Sequence, residues 1–285
     1  MNMNENEFIL TKEYRRFKEF CDACMEYRYI GICYGSPGVG KTKSAEYYSS
    51  KHLKDAIPKD QFGTSIYSEA SIELSNCKTI LYTPVPPLSP HQINNQLSKE
   101  QYKFNLTFKA ANLNKVKSNQ PMMAAKDMDV LIEADILDNK DYYNLIIIDE
   151  SERLNVAALE ILRALYDQLN VGFIFIGMPG LEKKLSRYPQ LYSRIGFAHE
   201  YKVLSKEEMA FMLEHHWQKL NLKFKIDDFA DHEAMTAIMR VTSGNFRLLS
   251  RLFMQIDRIM KLNQIKNITQ EVVLAARECL LIGTS

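Results

Sequence analysis

The stretch Gly35-Ser-Pro-Gly-Val-Gly-Lys-Thr42 matches the spacing G-x-x-x-x-G-K-[ST], and few local patterns restrict a fold more tightly. It works only where a strand precedes it and a helix follows. Tyr29-Arg-Tyr-Ile-Gly-Ile-Cys-Tyr34 is a mostly apolar run long enough for a buried strand, and Lys43-Ser-Ala-Glu-Tyr-Tyr-Ser49 reads as a helix. Glycines at 35, 38 and 40 open backbone conformations closed to residues with a Cβ and let a polyphosphate come close to the chain. Backbone N–H groups and the start of the helix then point at the anion. The spacing predicts that Gly35, Ser36, Pro37, Gly38, Val39, Gly40, Lys41, Thr42 and Lys43 bind the phosphates of ATP, with Lys41 bridging the β- and γ-phosphates and the Thr42 hydroxyl holding Mg²⁺.

A second signal lies downstream in Asn144-Leu-Ile-Ile-Ile-Asp149-Glu150. A continuous aliphatic run ending in two acids has the form of a central parallel strand whose carboxyl end meets a ligand. Asp149 is placed to reach Mg²⁺, usually through water, and Glu150 to orient and deprotonate the attacking water. With the phosphate loop upstream, the pair predicts a site that hydrolyses a nucleotide.

Composition narrows the setting. No apolar run approaches the roughly 20 residues of a membrane span, and the first seven residues lack the apolar core of a signal peptide. The expectation is a cytoplasmic protein with no membrane partner. A net charge of +1 gives no bulk argument for nucleic acid, so any DNA contact must come from a local patch. The most basic stretch carries lysines 99, 103, 109, 115 and 117 against the single acid Glu100, and Asn114–Asn119 reads as its exposed turn. By sequence alone, a solvated helix face explains that stretch better than a binding site does. Five cysteines, an odd number, fit reduced thiols. The Cys21-Asp-Ala-Cys24 spacing falls on a helical pattern with no second pair to complete a zinc site, so both cysteines read as core.

Taken in order, residues 11–27 carry one apolar helix face, Thr79–Thr83 a second strand ended by the prolines of 84–90, and Ser98-Lys-Glu-Gln101 a capping box that opens a helix. A helix over 157–169 and a fourth strand over 171–177 follow. Strands alternating with helices imply a parallel sheet covered on both faces. After Val203 the strand signals stop: Ser205-Lys-Glu-Glu208 is a capping box, and helices are expected near 229–241, 245–262 and 269–281. The fold class is therefore α/β, a phosphate-loop domain followed by a small all-helical domain.

That combination resembles the AAA+ ATPases over nearly the whole chain. The resemblance divides it into an N-terminal helix packing on the ATPase core (1–28), an α/β nucleotide-binding domain (29–203) and a helical lid (204–285). Gly244-Asn-Phe-Arg247 resembles the family's sensor 2, which implies that Arg247 reaches the γ-phosphate. Arg194 stands where the family places an arginine finger acting on a neighbouring subunit's nucleotide, with Arg187 the alternative. Within the family, Ile148-Asp-Glu-Ser-Glu-Arg-Leu154, the helix leading into the phosphate loop and Leu204-Ser-Lys-Glu-Glu-Met209 resemble the transposition ATPases typified by the B protein of bacteriophage Mu. Implied are ATP-driven assembly of a homo-oligomer or helical filament on duplex DNA, recruitment of a transposase, and non-specific phosphate contacts from Lys109, Lys115 and Lys117. Two departures stand out: no N-terminal helix-turn-helix precedes residue 29, and Gly177-Met178-Pro179 occupies the place of a polar sensor 1, which implies slow or partner-dependent hydrolysis. Two other functions fit the same residues. One is a replication-initiator or helicase-loader ATPase; the other is a nucleotide-gated signalling or scaffold protein that never touches DNA.

Overall fold

The computed structural model describes residues 8–61, 63–86, 88–119, 141–219 and 229–280. They fall into two compact units, one built on Arg16–Tyr34 and Lys41–Glu200, the other on Ile9–Arg15, Gly35–Gly40 and the chain from Tyr201 on. The C-terminal tail 281–285 and the N-terminal residues 1–7 lie outside the described residues.

In the first unit, strands β1 (Ile30–Tyr34), β2 (Thr79–Tyr82), β3 (Leu145–Ile148), β4 (Gly172–Gly177) and β5 (Ile195–Glu200) form one parallel sheet in the order β2-β3-β4-β1-β5. The aliphatic run of β3 is fully buried because β3 is an interior strand with helices over both faces. Burying each such side chain stabilises the fold by about 1.5–3 kcal/mol. Alternate residues serve opposite faces. Ile32, Ile146, Ile148, Phe173 and Phe175 pack in one apolar cluster with Leu97, Phe104 and Phe108 of α4 (Pro90–Asn119) and Leu159 and Leu162 of α5 (Val156–Gln168). The other face receives α1 (Lys12–Tyr27): a Cβ at Gly31 would lie 2.5 Å from Cys24 Sγ, and one at Gly172 would lie 2.4 Å from the Cys24 carbonyl oxygen. Glycines at these two positions are what let the helix approach so closely. Cys21 and Cys24 are both buried, and burial pushes the Cys24 thiol up to about 12.

The sequence reading of α4 needs correction at both ends. The helix starts at Pro90, eight residues before the expected capping box at Ser98. Ser89 supplies the real cap, accepting from the Gln92 N–H at 3.3 Å, and Pro90 sits in the first turn, where no backbone donor is missed. Ile93, Leu97, Phe104, Phe108 and Ala111 carry one buried stripe through Ser98, so nothing ends the helix there. Residues 114–119, expected as an exposed turn, are its last turns: the Asn114 amide donates to the carbonyls of Ser68 (3.0 Å) and Ala70 (2.8 Å). The fifth strand has no counterpart among the strands expected from the sequence. Its residues alternate between partly buried and exposed at the sheet edge, so β5 has no continuous apolar run to mark it.

Between these elements lie two short helices, α2 (Lys41–Tyr48) and α3 (Lys51–Asp55), and α6 (Leu181–Leu185) and α7 (Pro189–Tyr192) after β4. The second unit contains α8 (Lys206–Lys219), α9 (Phe229–Thr242), α10 (Phe246–Asn263) and α11 (Gln270–Glu278). Trp217, Ile238, Leu252, Ile256 and Val273 are buried in its core, with Trp217 edge-on to Phe253 at 5.6 Å between ring centroids. The Ser205 box closes both ways: Glu208 N–H donates to Ser205 Oγ at 3.2 Å and Ser205 N–H to Glu208 Oε2 at 2.9 Å. Among the described residues, no helix is long and apolar enough to cross a membrane, and no group of three or more His, Cys, Asp or Glu could hold a metal.

Candidate functional site

Within the first unit the parallel sheet brings the ends of β1 and β3 to the same edge. Lys41 and Thr42 open α2 there, and Asp149 is the residue after β3. Asp149 is 3% exposed, and its carboxylate accepts from the Thr42 hydroxyl and, at 2.9 Å, from the Glu150 N–H. Burial raises the Asp149 pKa above the ordinary carboxylate value, while those two hydrogen bonds pull it back. A hydroxyl and a carboxylate in contact are hard oxygen donors, the set that suits Mg²⁺, with waters and phosphate oxygens completing its shell. Lys41 is buried beside them.

Glu150 sits in the left-handed region (φ 52°, ψ 39°), a conformation uncommon outside glycine and often found at functional sites. Its carboxylate is held by the Arg153 guanidinium across a short 3-10 turn that Ser151 pins by donating to the Ile148 carbonyl at 2.7 Å. At the end of β4, Met178 is partly buried; a Cβ on the preceding Gly177 would lie 2.7 Å from Glu152 Oε2. Lys43 faces along α2 and pairs with Glu46 at 2.9 Å, so its side chain is committed to the helix surface.

Within the second unit, the loop segment Gly35–Gly40 is fastened by residues at the start of α10. Asn245 caps that helix through Oδ1, which accepts from Leu248 N–H at 3.0 Å, while its Nδ2 donates to the Pro37 carbonyl at 2.8 Å. The Arg247 N–H donates to the Gly38 carbonyl at 3.0 Å, and the Arg247 side chain is exposed. Gly38 (φ 80°) and Gly40 (φ 113°) adopt the left-handed conformations expected of them, but Gly35 does not; its need for hydrogen at Cα is steric, since a Cβ would lie 2.3 Å from the Tyr201 carbonyl oxygen. Asn245 escaped the sequence reading, although an asparagine immediately before an amphipathic helix is a capping signal. The Arg153 contact has one signal in the sequence, its spacing of three from Glu150.

Arg194 precedes β5, and its carbonyl accepts from Ile30 N–H at 3.2 Å, which puts it at the amino edge of the sheet, opposite Thr42 and Asp149. Its guanidinium grips Asp167 with two bonds, at 2.6 and 2.9 Å, and the Gln190 carbonyl. Arg187 is exposed. Of the predicted DNA-contacting lysines, Lys115 and Lys117 are exposed on the last turns of α4, and Lys109 lies over the Tyr142 ring, 5.6 Å from its centroid.

Residues 24–185 match the family described as AAA domain. A Staphylococcus aureus protein described as a potential ATP-binding protein is 45% identical over 283 residues, covering 99% of each chain. Two solved structures share the fold. The Thermotoga maritima RuvB Holliday junction branch migration motor aligns with a TM-score of 0.56 at 16% identity, over 97% of this chain and 71% of that one. The Aeropyrum pernix ORC2 protein, in ADPNP-ADP complexes, aligns with a TM-score of 0.55 at 14% identity, over 96% and 70%.

Proposed function

This chain belongs to the AAA domain family, and from that membership we propose that it is an ATP-hydrolysing protein that assembles on duplex DNA and delivers target DNA to a transposase. The observation that carries the nucleotide half is the contact of the Thr42 hydroxyl with the buried Asp149 carboxylate, at the edge of the sheet where the phosphate loop meets α2.

In this reading the reaction is in-line attack of water on the γ-phosphate. Backbone N–H groups of residues 35–41 and the α2 start bind the phosphates, and Lys41 neutralises charge on the β- and γ-oxygens. Thr42 and Asp149 would hold Mg²⁺, which would supply charge neutralisation at the phosphate oxygens. Glu150 orients the water and takes its proton. The resemblance to the AAA+ ATPases assigns further positive charge to Arg247 and, from a neighbouring copy, to Arg194. The DNA half rests on the resemblance of Ile148–Leu154 to the transposition ATPases and on the exposed Lys115 and Lys117.

The Arg153 contact on Glu150 and the apolar Met178 favour a second reading, a nucleotide-gated switch that hydrolyses ATP slowly and does not bind DNA. One experiment separates them: anisotropy of a labelled random duplex with a slowly hydrolysed ATP analogue and with ADP, across a salt series. The target-selector reading expects nucleotide-dependent binding whose log–log salt slope drops by about 0.9 for each of Lys115→Ala and Lys117→Ala. Absence of binding in every nucleotide state overturns it and leaves the switch.

A further inference from the structure

We propose that a cleft between α3, α4 and the edge of β2 away from β3 is a second ligand site, one that takes a small organic phosphate. The cleft has a volume of about 410 Å³, within the range of small-molecule sites. Lysines 51, 54, 59 and 103 line it. Two of them already have counterions: Lys51 pairs with Glu46 at 3.0 Å and Lys103 with Glu100 at 2.8 Å. Lys54 and Lys59 have none within ion-pairing distance among the described residues, although Lys54 meets the Cys77 sulfur and both Glu100 and Asp55, which line the cleft, lend it longer-range compensation.

Lys54 is the centre of the site. Its ammonium donates to the Thr79 carbonyl at 3.0 Å and lies 4.9 Å from the Phe104 ring centroid. Burial there holds its pKa below that of an ordinary lysine. A cation in a desolvated wall without a contacting carboxylate gains from an arriving anion what water no longer provides.

The strand edge supplies further polar groups. The carbonyls of Lys78 and Tyr82 are taken by β3-side donors, Leu145 and Asp149. Peptide groups alternate in direction along a strand, so with Lys78 and Tyr82 turned toward β3, Thr79 and Leu81 point their N–H and C=O away from it, as the Lys54 bond to the Thr79 carbonyl shows. The Leu81 N–H therefore faces the cleft, a donor for a phosphate oxygen. Phe104, Tyr67 and Ile57 form the apolar side of the same space, so the occupant carries an apolar body as well as its phosphate. No residue of the phosphate loop lines this cleft.

The test is calorimetric titration of the full chain, with the phosphate loop saturated by Mg·ADP, using phenyl phosphate and inorganic phosphate as probes. Phenyl phosphate is expected to bind at one site per chain, more tightly than inorganic phosphate. Lys54→Met should weaken it about tenfold or more, the loss of one charge-assisted contact, with ADP binding unchanged. Lys59→Gln, at an exposed position where folding is not at stake, should weaken it too and decides the matter if Lys54→Met does not fold. The proposal is overturned if neither probe binds, or if binding is the same in both variants as in the parent. It is also overturned if a DNA duplex displaces phenyl phosphate and Lys59→Gln loses DNA affinity in parallel, which would make the cleft a nucleic-acid contact.

Discussion

The side-chain amide of Asn245 is divided between two backbones: its oxygen caps α10 and its nitrogen holds the carbonyl of Pro37, in the middle of the phosphate loop, at 2.8 Å. One residue thus couples the stability of a helix to the shape of an anion-binding loop. Asn245→Ala removes both bonds and should cost about 1 kcal/mol in a denaturant melt while weakening ADP binding. Asn245→Asp keeps the acceptor and loses the donor, and sets a negative charge beside the loop. It should melt close to the parent yet bind ADP more weakly than the alanine variant; equal ADP binding by all three proteins would show that the Pro37 contact does not shape the loop.

The raised pKa of Asp149 makes a pH prediction. Below its ordinary value near 3.8 the group is protonated in both folded and unfolded chains, and its charge costs the fold nothing. As pH rises through the raised folded value, the buried carboxylate must ionise and stability falls. Asp149→Asn should therefore melt higher than the parent at neutral pH without nucleotide, by a margin that shrinks as pH falls toward 4. The same substitution should abolish Mg²⁺-dependent turnover. A variant that melts lower than the parent at pH 7 would contradict the assignment of burial as the dominant cause.

Glu150 and Arg153 are tested as a pair. If Glu150 takes the proton of the attacking water, Glu150→Gln should lower turnover by about 10²- to 10⁴-fold with ATP binding retained. Arg153→Ala frees the carboxylate and should raise the basal rate, while changing stability by no more than about 1 kcal/mol, as befits a half-exposed pair. A fall in basal rate with Arg153→Ala would instead mean that the pairing holds Glu150 in its productive orientation.

If Arg194 serves a neighbour's nucleotide, it must first leave Asp167. In the assembled state Arg194→Ala should lower turnover by about 10³- to 10⁵-fold and leave ATP affinity of the dilute protein unchanged. Asp167→Asn, which weakens the clamp at 2.6 and 2.9 Å, should raise turnover at low protein concentration. Unchanged turnover in the assembled Arg194→Ala variant would move the role to Arg187.

What the sequence by itself determined is the part of the protein written in local pattern. Gly35–Thr42 and Asn144–Glu150 are legible because strand, turn and helix preferences act over a few residues and agree with each other there. The reciprocal cap at Ser205 and Glu208 belongs to the same class. The tertiary structure decided what depends on distant partners. β5 exists because a half-exposed edge segment finds β1, not because its own residues insist on a strand. α4 begins at Pro90 because its buried stripe runs unbroken past an internal cap signal at Ser98. Asn245 reaches Pro37 across 208 residues, and Arg194 meets Asp167 across 27. Those contacts are the sum of every packing choice between their ends, and the order of residues states it only once the chain has folded.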